Sequence, residues 1–266
     1  MDVRDKNQSV KIFVLITFIL MILVNALANI LPINGQLTAQ VSNYYPNLFT
    51  PIPLTFSIWG VIYIALTFFV LYYFGFFNDD KTQINIPTFN RIGLIFAISS
   101  IINSLWIFAW HYHQILLSVI LMILLLICLG LLNSILFKEK LTNKEKRFFK
   151  IPSSLYYGWI TIALIANITA CLVSLGLNGF GLSEEFWVSA IIIVGMMISI
   201  VTIITYNDIN YGLVIIWSYI GILMRHLSGA YFNMQYPSII IVTIVCVSFI
   251  VIIEIYISFV NHKKTI

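Results

Sequence analysis

Three stretches of the chain place aromatic and amide side chains at helical intervals. Trp59 and Tyr63 are four apart; Trp106 and Trp110 follow Asn103 at offsets of three and seven; Trp159, Ala163 and Asn167 follow Tyr156 at three, seven and eleven. Residues at those offsets stack along one side of a helix. A site walled by indole and phenol rings with a few amides suits a flat, largely apolar molecule bearing some polar substituents. Each ring contact contributes only about 0.5 to 1.5 kcal/mol beyond burial, so several must converge. The competing reading is plain packing, because aromatic residues also fill helix interfaces and form belts at membrane surfaces. Spacing alone favours packing. An amide in apolar surroundings must hydrogen-bond, so Asn103 and Asn167 are expected to face inward, toward each other, a backbone carbonyl or a ligand, while small Ala163 lets a neighbouring backbone approach.

Ionisable residues are few. Glu254 is the one well inside an apolar run and is a candidate proton site; it would carry a proton, pair with a neighbour or reach the surface. His111 and His113 bracket a short turn, where solvated interfacial histidines are the favoured reading and a haem or metal ligand the alternative. Cys128, Cys171 and Cys246 lie in apolar runs without a C-x-x-C pair and read as packing residues. The chain contains no glycine-rich phosphate loop, zinc signature or nucleophile elbow, so no metal site, no obligatory cofactor and no hydrolytic or kinase chemistry is expected.

The elements that would position these residues follow from composition. Apolar and aromatic residues make up 61% of 266 positions and charged residues 9%, whereas a soluble domain is about a quarter charged. Such a chain is an all-α, polytopic membrane helix bundle. A hydrocarbon core about 30 Å thick is crossed by about 20 apolar residues. Eight runs qualify, near residues 10–31, 53–77, 89–112, 114–137, 151–175, 187–206, 209–227 and 237–260. The seventh is the weakest, because Asp208 begins it and Arg225 and His226 end it. Ala26-Leu27-Ala28 looks like a signal-peptidase site, but the apolar stretch continues through Ile30 and Leu31, so the first run is read as a span.

With the N-terminus inside, Arg4, Lys6, Lys11, Lys81, Arg91, Lys138, Lys140, Lys144, Lys146, Arg147, Lys150, Lys263 and Lys264 are cytoplasmic and only Arg225 is external. That asymmetry predicts an even number of spans with both termini cytoplasmic. A bacterial cell membrane is the expected location. The net charge of +4 lies in short loops and reads as an orientation signal, so lipid is the expected partner and nucleic acid is not. A homodimer stays open. The loop from Pro32 to Ile52 has no charged residue yet carries Tyr44, Tyr45, Phe49 and three prolines. It reads equally as an interfacial loop against lipid headgroups or as a lid over a site, with Phe49, Pro51 and the following Pro53 as lid residues.

Three segments carry a family resemblance: Thr50-Pro51-Ile52-Pro53 followed by Trp59-Gly60-Val61-Ile62-Tyr63; Asn103-Ser104-Leu105-Trp106; and Tyr156-Tyr157-Gly158-Trp159 continuing to Ala163 and Asn167. In the same order they resemble the proline-rich approach to helix two with its W-x-x-x-Y, the helix-three N-x-x-W and the helix-five Y-x-x-W-x-x-x-A-x-x-x-N of the TspO/MBR family, the tryptophan-rich sensory and translocator proteins. The resemblance covers about residues 10–177. Departures occur where the family has aromatic residues before the helix-two tryptophan, since Pro53 and Thr55 stand there and Phe56 is shifted by one. Leu155 also replaces the usual proline beside the helix-five tyrosine, with Pro152 three residues earlier.

The resemblance implies a five-helix bundle over residues 1–177 that binds a tetrapyrrole such as protoporphyrin or haem, or a sterol-like lipid, beneath the loop between helices one and two. Residues 178–266 are expected to add a three-helix extension. The expected function is a membrane receptor or carrier for a planar hydrophobic ligand, contacted by Trp59, Tyr63, Asn103, Trp106, Trp110, Tyr156, Trp159, Ala163 and Asn167. The alternatives are a proton-coupled secondary transporter of a small amphipathic solute, using Glu254, and a porphyrin-degrading membrane enzyme. Because these polar handles precede Asn178, ligand contacts are expected to be confined to the first 177 residues.

Overall fold

A computed structural model describes residues 8–77, 84–177 and 181–263. Arg4, Lys6, Lys81 and Lys264, which carry part of the charge asymmetry, lie outside the described residues. The helices are α1 (Gln8–Ile30), the short α2 (Thr38–Asn43), α3 (Ile58–Phe74), α4 (Ile86–His111), α5 (Ile115–Lys138), the single turn α6 (Asn143–Glu145), α7 (Ile151–Ser174), α8 (Glu184–Tyr206), α9 (Ile209–Leu227) and α10 (Pro237–Lys263). A 3-10 turn, Pro53–Ser57, leads into α3, and a π turn, Lys146–Lys150, leads into α7. Among the described residues the only extended pairing is a single bridge between Ile33 and Gln36.

Local chemistry sets the boundaries. Asn85 caps α4 by accepting from the Thr88 N–H at 2.9 Å, and Pro87 tolerates the first turn because its missing donor would be unpaired there anyway. Thr142 and Glu145 form a reciprocal capping box ahead of α7. Asn207, in the left-handed region at φ 49°, closes α8, and Asp208 at once caps α9 through the Tyr211 N–H at 3.3 Å.

Seven helices among the described residues are long and apolar enough to cross a membrane. Each corresponds to one of the eight expected runs. The remaining run is the helix α9, 19 residues long, which falls short because Asn210, Arg225 and His226 dilute its apolar stretch. Large apolar side chains cover the exterior, with Ile16, Leu116, Val201 and Ile255 between 59% and 65% exposed. Such a surface is suited to hydrocarbon, and the protein is an integral membrane protein.

The chain divides into two compact units, Met1–Tyr44 with Trp59–Ile160, and Tyr45–Ile58 with Thr161–Ile266. The division falls inside α7 and inside the first loop, and differs from the expected one at residue 177. In the first unit α1 and α5 pack on α4. One end of this unit is an aromatic core: Phe69 stacks on Phe96 at 4.6 Å, and Tyr73 lies almost parallel to Phe89 at 4.3 Å. Gly93 makes that possible, since a Cβ there would overlap the Tyr73 phenol. In the second unit α10 packs against α8 and α9, and the turn Pro53–Ser57 rests on α9.

Candidate functional site

The aromatic motif residues of the first unit converge. Trp59, at the start of α3, stacks on Tyr63 with ring centroids 5.2 Å apart and lies 6.5 Å from Trp106 of α4. It meets Tyr156 and Trp159 of α7 edge-on at 6.1 and 5.9 Å. Trp106 in turn stacks on Trp110 at 6.3 Å. Trp59 and Tyr63 are half-buried, whereas Trp106, Trp110, Tyr156 and Trp159 are buried.

A hydrogen-bond chain supports this cluster. Asn103 is fully buried; its amide donates to the Tyr156 hydroxyl at 2.9 Å and its carbonyl accepts from Asn25 of α1 at 2.6 Å. Asn25 also donates to the Met21 carbonyl at 2.9 Å. The inward orientation expected of Asn103 is observed, with Asn25 as a partner that the motif spacing does not point to; its signal is that Asn25 is one of two asparagines, with Asn29, in the first apolar run. The Tyr63 hydroxyl and the Trp106 indole N–H are buried and unbonded. Buried donors of this kind normally find an acceptor.

The remaining nominated residues lie in the second unit. Asn167 is buried and Ala163 half-buried, both on the later part of α7. Phe49 and Pro51 are buried, and Pro53 is exposed at the start of the 3-10 turn.

The loop from Pro32 to Ile52 is divided between the units. In the first unit His111 is fully buried, with Nε2 at 3.0 Å from the Thr38 hydroxyl and Nδ1 at 3.2 Å from the Ile33 carbonyl. Asn34 donates to the His111 carbonyl at 2.9 Å, and Trp110 Nε1 reaches the Thr38 carbonyl at 3.5 Å. His113 pairs with the Gln36 side chain at 3.2 Å and meets Tyr44 edge-on. His111 is therefore a buried brace for the loop, not the solvated histidine expected, because both its ring nitrogens have partners within the fold.

In the second unit, residues 48–55 are tied to α9. Arg225 donates to the Thr50 carbonyl at 2.9 Å, His226 Nε2 to the Leu48 carbonyl at 2.9 Å, and Trp217 Nε1 to the Thr55 carbonyl at 3.0 Å. The Ile52 N–H donates to the Gly221 carbonyl at 3.1 Å. A Cβ on Gly221 would overlap the Thr55 side chain, so glycine is what lets the segment approach. The Leu48 N–H donates to Glu184 of α8 at 3.0 Å. These bonds hold the nominated lid residues against helices of the C-terminal third.

The second unit also holds a cavity of about 530 Å³, lined by Leu172, Val173, Leu177, Trp187, Val188 and Ile191 together with the polar Asn47, Thr169 and Glu184. None of the nominated residues lines it. Its sequence signal is weak: Glu184 and Trp187 at the start of an otherwise apolar helix.

Helices throughout, an apolar exterior and an interior cluster of rings and amides define a polytopic α-helical membrane protein. The family model for TSPO-like protein matches residues 11–256, and the chain belongs to that family. The match takes in α8, α9 and most of α10, which the motif resemblance, ending near residue 177, left outside. The comparisons with curated proteins and with solved structures return no match.

Proposed function

We propose that the protein is a membrane receptor or carrier whose aromatic cluster, Trp59, Tyr63, Asn103, Trp106, Trp110, Tyr156 and Trp159, binds a planar, largely apolar ligand bearing hydrogen-bond acceptors. A tetrapyrrole with carboxylate side chains, protoporphyrin or haem, fits this description best. The observation that carries the reading is the pair of unbonded buried donors, Tyr63 Oη and Trp106 Nε1, among stacked rings. Carboxylates accept from such donors more strongly than the hydroxyl of a sterol does. Rings flanking a flat ligand would each add about 0.5 to 1.5 kcal/mol beyond burial.

The test is tryptophan fluorescence of the purified protein titrated with protoporphyrin and, in parallel, with octaethylporphyrin, which has the same ring but no carboxylate. The expected result is saturable quenching by protoporphyrin, weaker binding of octaethylporphyrin, and a narrowed difference between them in Tyr63→Phe. Absence of saturable quenching by either porphyrin would sink the proposal. Equal binding of both would remove the assigned role of the two donors. Cytoplasmic placement of both termini belongs to the same reading and requires α9 to cross the bilayer with the seven longer helices. Reporter fusions at the two ends check it, and opposite locations would refute it.

A further inference from the structure

Glu254, on α10 in the second unit, is the buried group that the ligand reading leaves unused. It is 6% exposed, and neither carboxyl oxygen has a hydrogen-bond partner. A carboxyl in apolar surroundings without a donor or a cation is among the most expensive groups a membrane protein can hold. Its surroundings are nonetheless shaped to receive it. It faces Gly212 in the first turn of α9, where an added Cβ would overlap its Oε1 and crowd the Ile203 side chain. Gly212 is thus a notch occupied by the carboxyl.

Asp208 lies four residues before Gly212, so the two share a side of the α9 start. It is 3% exposed and caps α9 through the Tyr211 N–H at 3.3 Å. The Tyr211 phenol on the same turn is committed to the Thr161 hydroxyl at 3.1 Å. On α8, the other helix packed against α10, the ionisable residues are Glu184 and Glu185 in the first turn and Tyr206 at the last residue. A carboxyl removed from water with neither oxygen bonded favours its neutral, protonated form.

We propose that the Glu254 carboxyl, seated in the notch that Gly212 leaves open on the side of the α9 start that carries Asp208, holds an exchangeable proton. It gives the second unit a protonation site of its own, independent of what the aromatic cluster binds. Proton exchange there would remove or restore one negative charge where α9 and α10 pack together.

The test uses the full-length protein in liposomes. Infrared difference spectra between wild type and Glu254→Gln are recorded from about pH 3 to about pH 9, a range that spans ordinary and strongly displaced carboxyl titrations. In parallel, dicyclohexylcarbodiimide, which reacts with protonated carboxyls in apolar surroundings, is mapped by mass spectrometry. The expected result is a protonated-acid C=O band at low pH that is lost on alkalinisation, with carbodiimide on Glu254 falling at least about tenfold over the same range. Asp208→Asn removes the neighbouring carboxyl and should move the loss of the band to lower pH. An acid band absent at every pH, or a midpoint unmoved in Asp208→Asn, overturns the proposal. So does protection of Glu254 from carbodiimide by sodium chloride but not choline chloride at constant pH, which would make the site one for a monovalent cation. Normal porphyrin binding in Glu254→Gln is expected and keeps the failure of this proposal distinct from failure of the ligand site.

Discussion

The aromatic cluster of the first unit and Glu254 of the second both bury polar atoms without partners, but of opposite character. Tyr63 and Trp106 present neutral donors, whereas Glu254 presents two carboxyl oxygens. An unpaired neutral donor costs roughly 1 to 3 kcal/mol, which a bundle can carry until a ligand supplies an acceptor. An unpaired carboxylate costs far more and has to be neutralised where it stands. The same kind of orphan atom therefore points to an external ligand in one unit and to a bound proton in the other. The supports differ accordingly. The cluster is braced by a chain of neutral hydrogen bonds from Asn25 through Asn103 to Tyr156, and the carboxyl by a glycine that makes room for it.

The largest effect that would sharpen this contrast comes from ending the chain after residue 180. Truncation removes Glu184, Trp217, Gly221, Arg225 and His226, the groups that hold residues 48–55. Limited proteolysis should then cut within that segment, which stays protected in the full chain. If the truncated protein inserts, is cleaved there and still quenches with protoporphyrin, the first unit binds by itself. If it inserts but no longer quenches, the later helices complete the site.

Next in size is the double variant Trp59→Leu with Trp159→Leu. Losing two ring contacts of about 0.5 to 1.5 kcal/mol each should weaken porphyrin binding about tenfold, measured by quenching of the remaining tryptophans or by porphyrin absorbance. The acid band of Glu254 should not change, and a change in both would break the separation between the two sites.

Asn103→Ala should act on stability more than on the ligand. It leaves the Asn25 amide and the Tyr156 hydroxyl without their shared partner, at about 1 to 3 kcal/mol, and should lower the unfolding temperature in detergent. An unchanged unfolding temperature would mean that these two groups find other partners. The smallest expected effect is that of Arg225→Gln. Loss of the charged donor to Thr50 on a half-exposed side chain should destabilise by about 0.5 to 1 kcal/mol, confined to residues 48–55. Hydrogen exchange should show faster exchange there with little change in the Asn25–Asn103–Tyr156 region.

Much of the architecture could be read directly from the chain. Runs of about 20 apolar residues become helices in a bilayer because the backbone has no other way to satisfy its own hydrogen bonds there. The weak run was also visible, since Asp208 precedes it and Arg225 and His226 end it in the sequence, as they cap and close α9 in the fold. Helical periodicity placed Asn103 with Trp106 and Tyr156 with Trp159, because side chains on one helix share a face for local geometric reasons. His111 was misjudged because its partners, Thr38 and Ile33, lie more than 70 residues earlier and no local pattern encodes them.

What the sequence by itself determined is the set of helices, the family motifs and the inward direction of Asn103, all consequences of local backbone geometry and of the cost of polar groups in lipid. Only the tertiary structure decided which partner each buried group meets. Asn103 bonds Asn25 of α1, the segment after Tyr45 belongs with α8 and α9, and Glu254 occupies the space that Gly212 leaves. The physical reason is that these pairings depend on which helices pack together and on where a missing Cβ admits a neighbour, properties of interfaces between segments distant in the chain.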